Sequence, residues 1–244
     1  AQRGVVTASG GNHGLGVSWA GWLLDVKVHV FVPGSTPTFK IDMLERGNAI
    51  VRKVDGNYAD AEREARRAAE EHGVPYIHAY DDPDVIAGQG TVLREFLSQA
   101  PEIGTTVVAI GGGGLASGSS LASDGRRIVG VEPIGAATMH AAFEAGGPVH
   151  IGHINSIAAD SLGAAMAGSY TYDICSRGID RVELVSDSSL VKAQKWLWDH
   201  LRFVSELGAA AGLAALSNGI LDQDPGPIGI VVCGSNVHPK KFIS

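Results

Sequence analysis

The stretch Val6 to Gly16, VTASGGNHGLG, decides the fold. It opens on β-branched residues that suit a strand, turns through Ser9, Gly10 and Gly11, and runs into Val17–Leu24, an apolar segment that suits a helix. Ser9 to Gly16 holds four glycines with a serine, an asparagine and a histidine. A glycine-rich turn between a strand and a helix offers backbone N–H groups, and the helix N-terminus adds a dipole that favours an anion.

Working outward, the same alternation recurs along the chain. Strands are expected at Val5–Thr7, Val26–Val32, Ala49–Val54, Val74–His78, Thr105–Ile110, Ile128–Val131, Val182–Val185 and Ile228–Val232. Between them lie helical segments. Ala59–His72 is rich in Ala, Glu and Arg and stops at Gly73, and Ser188–Leu201 puts Leu190, Gln194, Leu197 and Leu201 on one face. Thr36 and Pro37 read as an N-cap and first-turn proline for a helix ending near Gly47. This spacing predicts an α/β fold of parallel sheets flanked by helices. The acidic turn AYDDPD, Ala79–Asp84, is either a boundary between two domains or a turn within one continuous sheet.

Composition narrows the function. With 244 residues, 45% of them apolar, the chain can bury a substantial core. A net charge of −7 without a Lys/Arg run argues against nucleic acid or an anionic membrane as partner and leaves small molecules. Cys175 and Cys233 lie far apart in no CxxC pattern, which points to a reducing, cytoplasmic setting. No apolar run reaches the ~18 residues of a membrane span. The chain opens on Ala1 with a strand almost at once, so a further segment is expected upstream.

In parallel α/β sheets ligands gather where strands end and helices begin. Two loops qualify: SGGNHG, Ser9–Gly14, and GGGGLASG, Gly111–Gly118. Consecutive glycines let successive N–H groups close on an oxyanion, so a phosphate is the natural guest of the second. The second loop has a rival reading. GGGGLA satisfies G-x-G-x-x-G/A, and Glu132, 21 residues after Gly111, lies where a ribose-binding acid of an NAD site would lie. That alternative, an NAD-binding oxidoreductase, leaves SGGNHG unexplained.

Taken together and in order, ASGGNHG, GGGGLASG and VVCGSN (Val231–Asn236) resemble the fold-type II pyridoxal-phosphate enzymes, and NHG is similar to the serine/threonine dehydratase (threonine ammonia-lyase) version. AGQGT (Ala87–Thr91), VGVEP (Val129–Pro133), SIAADSLGA (Ser156–Ala164) and SELGAAAGLAAL (Ser205–Leu216) extend the resemblance over nearly the whole chain. It implies a tryptophan synthase β-like architecture of two domains with parallel-rich open sheets. A small domain over 1–79 would carry the asparagine loop, and 80–244 would form the large cofactor-binding domain. The implied cofactor is pyridoxal 5'-phosphate. Asn12 would hydrogen-bond its phenolic oxygen, Gly111, Gly112, Gly113 and Gly114 would cup its phosphate, and Cys233 would face its pyridine nitrogen. Ser9, Gly10, Gly11 and His13 would hold the substrate carboxylate. A thiol is a weak donor and acceptor, so it leaves the pyridine nitrogen unprotonated and moderates the electron sink, which suits β-elimination. The implied reaction deaminates L-threonine, L-serine or a related β-hydroxy amino acid to a 2-oxo acid and ammonia, and the implied assembly is a homodimer.

The sequence departs from that pattern in places. The family's Schiff-base lysine lies in an S/T-F-K-x-R-G-A motif upstream of the asparagine loop, and no lysine precedes the loop here. TFK at Thr38–Lys40 follows the loop and continues as IDML, so Lys40 reads as structural. The segment with the lysine is therefore expected to be missing and the fragment inactive; if the lysine is truly absent, a non-catalytic amino-acid or cofactor-binding module is the alternative. Gly10 replaces the serine that racemases of the family carry, which disfavours racemisation. Thr138 stands where a metal-binding relative has a second acid, so Glu132 alone makes a poor cation site. His150 and His153 form an HxxH without a companion acid and read as surface or packing residues. Cys175 reads as a small core residue, and Trp19, Trp22, Trp196 and Trp198 as core and domain-interface packing. By the resemblance, Glu206 and Gly208 lie near the cofactor ring, and Asp160 and Ser161 line the substrate side.

Overall fold

In the computed structural model, which describes residues 4–237, the chain divides into two compact units, Ala1–Ala79 and Tyr80–Ser244. Each has its own sheet and core.

The first unit runs β1 (Val5–Ala8), α1 (Asn12–Leu24), β2 (Val28–Pro33), α2 (Thr38–Arg46), β3 (Ile50–Val54) and α3 (Tyr58–His72). β2 is the middle strand of a parallel sheet, pairing Val5 with Val28 on one side and His29 with Ile50 on the other. The expected strand Val74–His78 reduces to a single parallel bridge, Val6 to Tyr76. α3 forms because its alanines recur every fourth residue: Ala61, Ala65 and Ala69 pack on Val6, Ala8 and Phe31. Its start is a capping box between Asn57 and Asp60, and Gly73 closes it in the left-handed region at φ 59°.

α1 is built the opposite way. Its buried residues are Gly14, Ser18 and Gly21, the small ones, and Trp19, Trp22, Leu23 and Leu24 are all more than half exposed. The reason is close approach: a Cβ on Gly21 would lie 2.2 Å from Val28 Cγ2, and one on Gly14 would lie 2.0 Å from Ser9 O. This corrects the reading of Trp19 and Trp22 as core residues. Trp196 is likewise exposed, stacked on His200 at 4.5 Å, and Arg202 lies over Trp198 at 5.9 Å. The start of α2 also differs from expectation, because Pro37 takes the N-cap position and no side chain caps it.

The second unit runs α4 (Pro83–Gln99), β4 (Thr105–Ala109), α5 (Gly114–Leu121), β5 (Arg127–Pro133), α6 (Thr138–Ala145), α7 (Ala159–Leu162), α8 (Ser169–Gly178), β6 (Arg181–Val185), α9 (Asp187–Leu201), α10 (Ala211–Ser217) and β7 (Ile228–Ile230). Its parallel sheet has the order β6-β5-β4-β7. Every residue of β4 is buried, as a central strand covered on both faces requires. Val107, Ala109, Val129 and Val131 face Leu190, Leu197 and Ala214 of α9 and α10. Val108, Ile110 and Ile128 face Leu93, Ala116 and Cys175 of α4, α5 and α8. On α9 the inward face is Leu190, Ala193 and Leu197, while Leu201 lies outside it at 62% exposed.

The stretch AGQGT lets two helices touch. A Cβ on Gly90 would lie 2.9 Å from Gly118 O, and one on Gly118 would lie 2.5 Å from Gly90 N, so α4 seats directly on α5. No helix among the described residues is long and apolar enough to cross a membrane.

The tight seat of α1 yields a test. Gly21→Ala forces a methyl into Val28, and overpacking of this kind is expected to lower unfolding free energy by about 1–3 kcal/mol in urea melts. An unchanged midpoint would contradict the close packing.

Candidate active site

Both glycine loops follow strands at which the chain's connections diverge. β4 lies between β5 and β7, and β1 lies between β2 and the Tyr76 bridge. At such a switch point the crevice beyond the strand ends is open to a ligand.

In the second unit Gly111–Gly114 leaves the end of β4 and enters α5. Gly113 is the N-cap and has φ 101°, a conformation that favours glycine. The Cβ direction of each glycine is filled by protein: Leu162 Cα at 3.3 Å for Gly111, the Tyr80 ring at 2.3 Å for Gly112, Met139 Cε at 2.7 Å for Gly113 and Tyr80 Cα at 3.1 Å for Gly114. Among the described residues the N–H groups of these four glycines donate to no protein acceptor, while their carbonyls are engaged: Gly113 O accepts the Ser117 N–H at 2.8 Å and Gly112 O accepts the Thr171 hydroxyl at 2.8 Å. The result is a row of donors at a helix N-terminus, backed by packed side chains. Such a cradle fits a phosphate.

Cys233 follows β7, the strand beside β4, and the two are tied by Val231 N–H to Val107 O at 3.1 Å. It is therefore on the same edge of the sheet as the glycine loop. Cys233 keeps solvent access, yet surrounding protein and then the charge of Glu206 push its thiol up to about 11. It is a neutral thiol at pH 7. Glu206 also shapes this loop: its N–H donates to Gly234 O at 2.9 Å and its Oε1 accepts the Asn236 N–H at 2.9 Å. Gln194 Nε2 donates to Ser205 O at 2.7 Å and ties the same segment to α9.

In the first unit Ser9–Gly14 leaves β1 and enters α1. Gly11 is the N-cap, Asn12 is the first helical residue and His13 the second. The Gly11 N–H is turned inward to Ser9 Oγ at 3.2 Å, which leaves the Ser9 hydroxyl hydrogen to point elsewhere. His13 anchors the loop to the sheet, its Nε2 lying 3.0 Å from Thr7 Oγ1 and 3.2 Å from Ile77 O. Gly10 is confined too, since a Cβ there would meet Thr36 Cγ2 at 3.2 Å.

A model of the family described as "Pyridoxal-phosphate dependent enzyme" matches residues 1–234. The chain belongs to that family. Its cofactor is accordingly pyridoxal phosphate, and the cradle of Gly111–Gly114 beside a neutral thiol fits that group. Among curated proteins, the phenylserine dehydratase of Ralstonia pickettii is 34% identical over 98% of this chain and 74% of its own length. Among solved structures, the processed threonine deaminase isoform 2 of Solanum lycopersicum superposes with a TM-score of 0.92 at 31% identity, over 99% of this chain and 72% of that one. Maize serine racemase superposes with 0.94 at 33% identity, over 100% and 76%. These neighbours share the fold-type II architecture.

Within a pyridoxal-phosphate enzyme the dinucleotide reading of GGGGLA falls, and Glu132 gives the physical reason. It is fully buried, and its two oxygens accept the Met139 N–H at 2.8 Å and the His140 N–H at 2.9 Å, so it closes the start of α6 and cannot reach a ribose. Burial pushes its carboxyl up to about 7 despite these bonds. His150 and His153 are exposed, and His150 Nδ1 accepts the Gly152 N–H at 3.0 Å. Cys175 is buried against Ser117, with its thiol pushed up to about 12 by burial. Ser161 Oγ donates to Ala158 O at 3.3 Å and touches Gly208, where a Cβ would lie 2.5 Å from it; Asp160 is exposed. Lys40 lies in α2. Sequence reasoning missed Tyr80, Asp81 and Thr171, which support the glycine loop. The only signal was AYDDPD, read as a turn.

Two measurements follow from the titrating groups. Glu132 holds its proton to higher pH folded than unfolded, so the native chain binds more protons between about pH 4.5 and 7 and stability falls as pH rises through that window, by roughly 3 kcal/mol. Glu132→Gln is expected to flatten this slope in urea melts from pH 4.5 to 7.5; an unchanged slope would assign it elsewhere. Iodoacetamide is expected to modify Cys233 and spare Cys175, with a rate that climbs toward pH 11. Glu206→Gln keeps the acceptor for Asn236 but removes the charge that helps hold the thiol up, so alkylation of Cys233 at pH 8 is expected to become faster; an unchanged rate would contradict that contribution.

Proposed function

We propose that this protein is an ammonia-lyase that deaminates L-threonine, L-serine or a related β-hydroxy amino acid by β-elimination, giving a 2-oxo acid and ammonia. The observation that carries the reading is the neutral Cys233 thiol in the loop that follows β7, the strand beside the one that leads into the glycine cradle. The dehydratase and deaminase among its relatives support it.

When bound, pyridoxal phosphate supplies the electron sink for charge released at the substrate Cα. Gly111, Gly112, Gly113 and Gly114 hold the phosphate through their N–H groups. Cys233 cannot protonate the pyridine nitrogen as an acid would, so the sink stays moderate and charge at Cα leaves by expelling the β-hydroxyl. The Cα–H and Cβ–O bonds break and one water is lost. The resulting enamine becomes an imine, and water converts it to the 2-oxo acid and ammonia.

In the first unit the Asn12 side chain is assigned to the phenolic oxygen. The Ser9 hydroxyl with the N–H groups of Gly10 and His13 is assigned to the substrate carboxylate; Gly11 serves by holding Ser9 in place. His13 contributes backbone only, because its ring is engaged with Thr7 and Ile77. Gly10 has no group to hand a proton to Cα, which favours elimination over racemisation. The first unit would then be the substrate-side domain and the second the cofactor-binding domain. A cytoplasmic homodimer completes the proposal, and two free cysteines are in keeping with a reducing compartment.

The test is release of 2-oxo acid from L-threonine and L-serine by the purified full-length protein, carrying the upstream segment in which the lysine is expected, with pyridoxal phosphate, followed through a coupled reductase. Asn12→Ala is expected to lower the rate about a hundredfold. Cys233→Ser should retain most activity and Cys233→Asp should lose it. Stoichiometric cofactor binding without 2-oxo acid from any β-hydroxy amino acid, or formation of D-serine in its place, would overturn the reading.

A further inference from the structure

The first two residues of the second unit reach the glycine loop by two routes. Tyr80 touches it directly, since the Cβ direction of Gly112 runs into its ring at 2.3 Å and that of Gly114 into its Cα at 3.1 Å. The hydroxyl of the same ring donates to Met166 O at 3.2 Å, which fixes the ring from its far end. Asp81 acts through a helix. Its carboxylate accepts the N–H groups of Ser169 at 3.0 Å, Tyr170 at 2.8 Å and Thr171 at 3.2 Å, the whole first turn of α8. Thr171, placed by that cap, donates from Oγ1 to Gly112 O at 2.8 Å, and its Cβ lies 2.8 Å from where a Cβ on Gly113 would be.

We propose that Tyr80 and Asp81 are positioning residues for the phosphate loop: the Tyr80 ring sets the plane of the Gly112–Gly114 peptides, and Asp81, through α8 and Thr171, turns the Gly112 carbonyl inward so that the loop's N–H groups face the anion. A peptide whose carbonyl is held on one side presents its N–H on the other. Gly112 is then a glycine because Tyr80 occupies its Cβ direction, which a ligand-only account does not require. The inference rests on the reading of Gly111–Gly114 as the phosphate cradle.

The experiment compares the Kd of pyridoxal phosphate with that of pyridoxal, by fluorescence quenching, with inorganic phosphate as competitor. The native protein should prefer the phosphorylated form and lose that preference to phosphate. Tyr80→Ala and Thr171→Val should cut the preference by about tenfold or more while leaving pyridoxal binding unchanged, and Tyr80→Phe should retain it. Gly112→Ala should abolish the preference, and Gly112→Ala combined with Tyr80→Ala should regain part of it by making room. Folded Tyr80→Ala or Thr171→Val protein that keeps the full preference overturns the proposal; should Tyr80→Ala fail to fold, Thr171→Val and Tyr80→Leu decide it. A native protein that binds both compounds equally overturns the cradle reading instead.

Discussion

A row of backbone N–H groups at the end of a buried parallel strand can bind an anion only if the backbone is held in place without side chains of its own. In the second unit that constraint falls on Gly111–Gly114. Each glycine has its Cβ direction filled by another residue, Leu162, Tyr80, Met139 or Thr171, so the loop is packed like a core on one side while its N–H groups keep no protein acceptor among the described residues. Glycine here combines permissive φ at Gly113 with close approach at Gly112 and Gly114.

Much of the surrounding architecture serves that loop. α5 begins with it, and α4 fixes α5 through the backbone contact of Gly90 with Gly118. α8 is capped by Asp81 and returns Thr171 to the loop. β4 is flanked by β5 and β7, so the chain diverges on either side of the loop and brings Cys233 to the same edge. Cys233 in turn is held by the Glu206 clamp and kept neutral by its surroundings. Glu132 acts elsewhere, closing the start of α6 from the next strand, and the cost of burying its charge is visible in its raised carboxyl pKa.

Helix α1 marks where hydrophobic pattern misleads. Its large residues face outward and its small ones inward, because Val28 of β2 leaves no room for a side chain at Gly21 and the Ser9 carbonyl leaves none at Gly14. Reading tryptophan as buried assumes that apolar volume drives packing, and close backbone contact reverses that order. The same limit hid Tyr80 and Asp81. Their partners lie far along the chain, and AYDDPD marks a turn without announcing those partners.

What the sequence by itself determined is what local chemistry determines: the alternation of strands and helices, the two glycine loops, the likeness to pyridoxal-phosphate enzymes and the choice of a thiol at Cys233. β-branched runs and alanine periodicity act through neighbours in the chain, so they can be read without coordinates. The tertiary structure alone decided that β7 lies beside β4, that Val74–His78 contributes only a bridge, that Glu132 serves α6, and that Tyr80 and Thr171 stand beneath the glycines. These depend on contacts between residues distant in sequence, where steric fit within an ångström selects the partner and hydrophobicity does not.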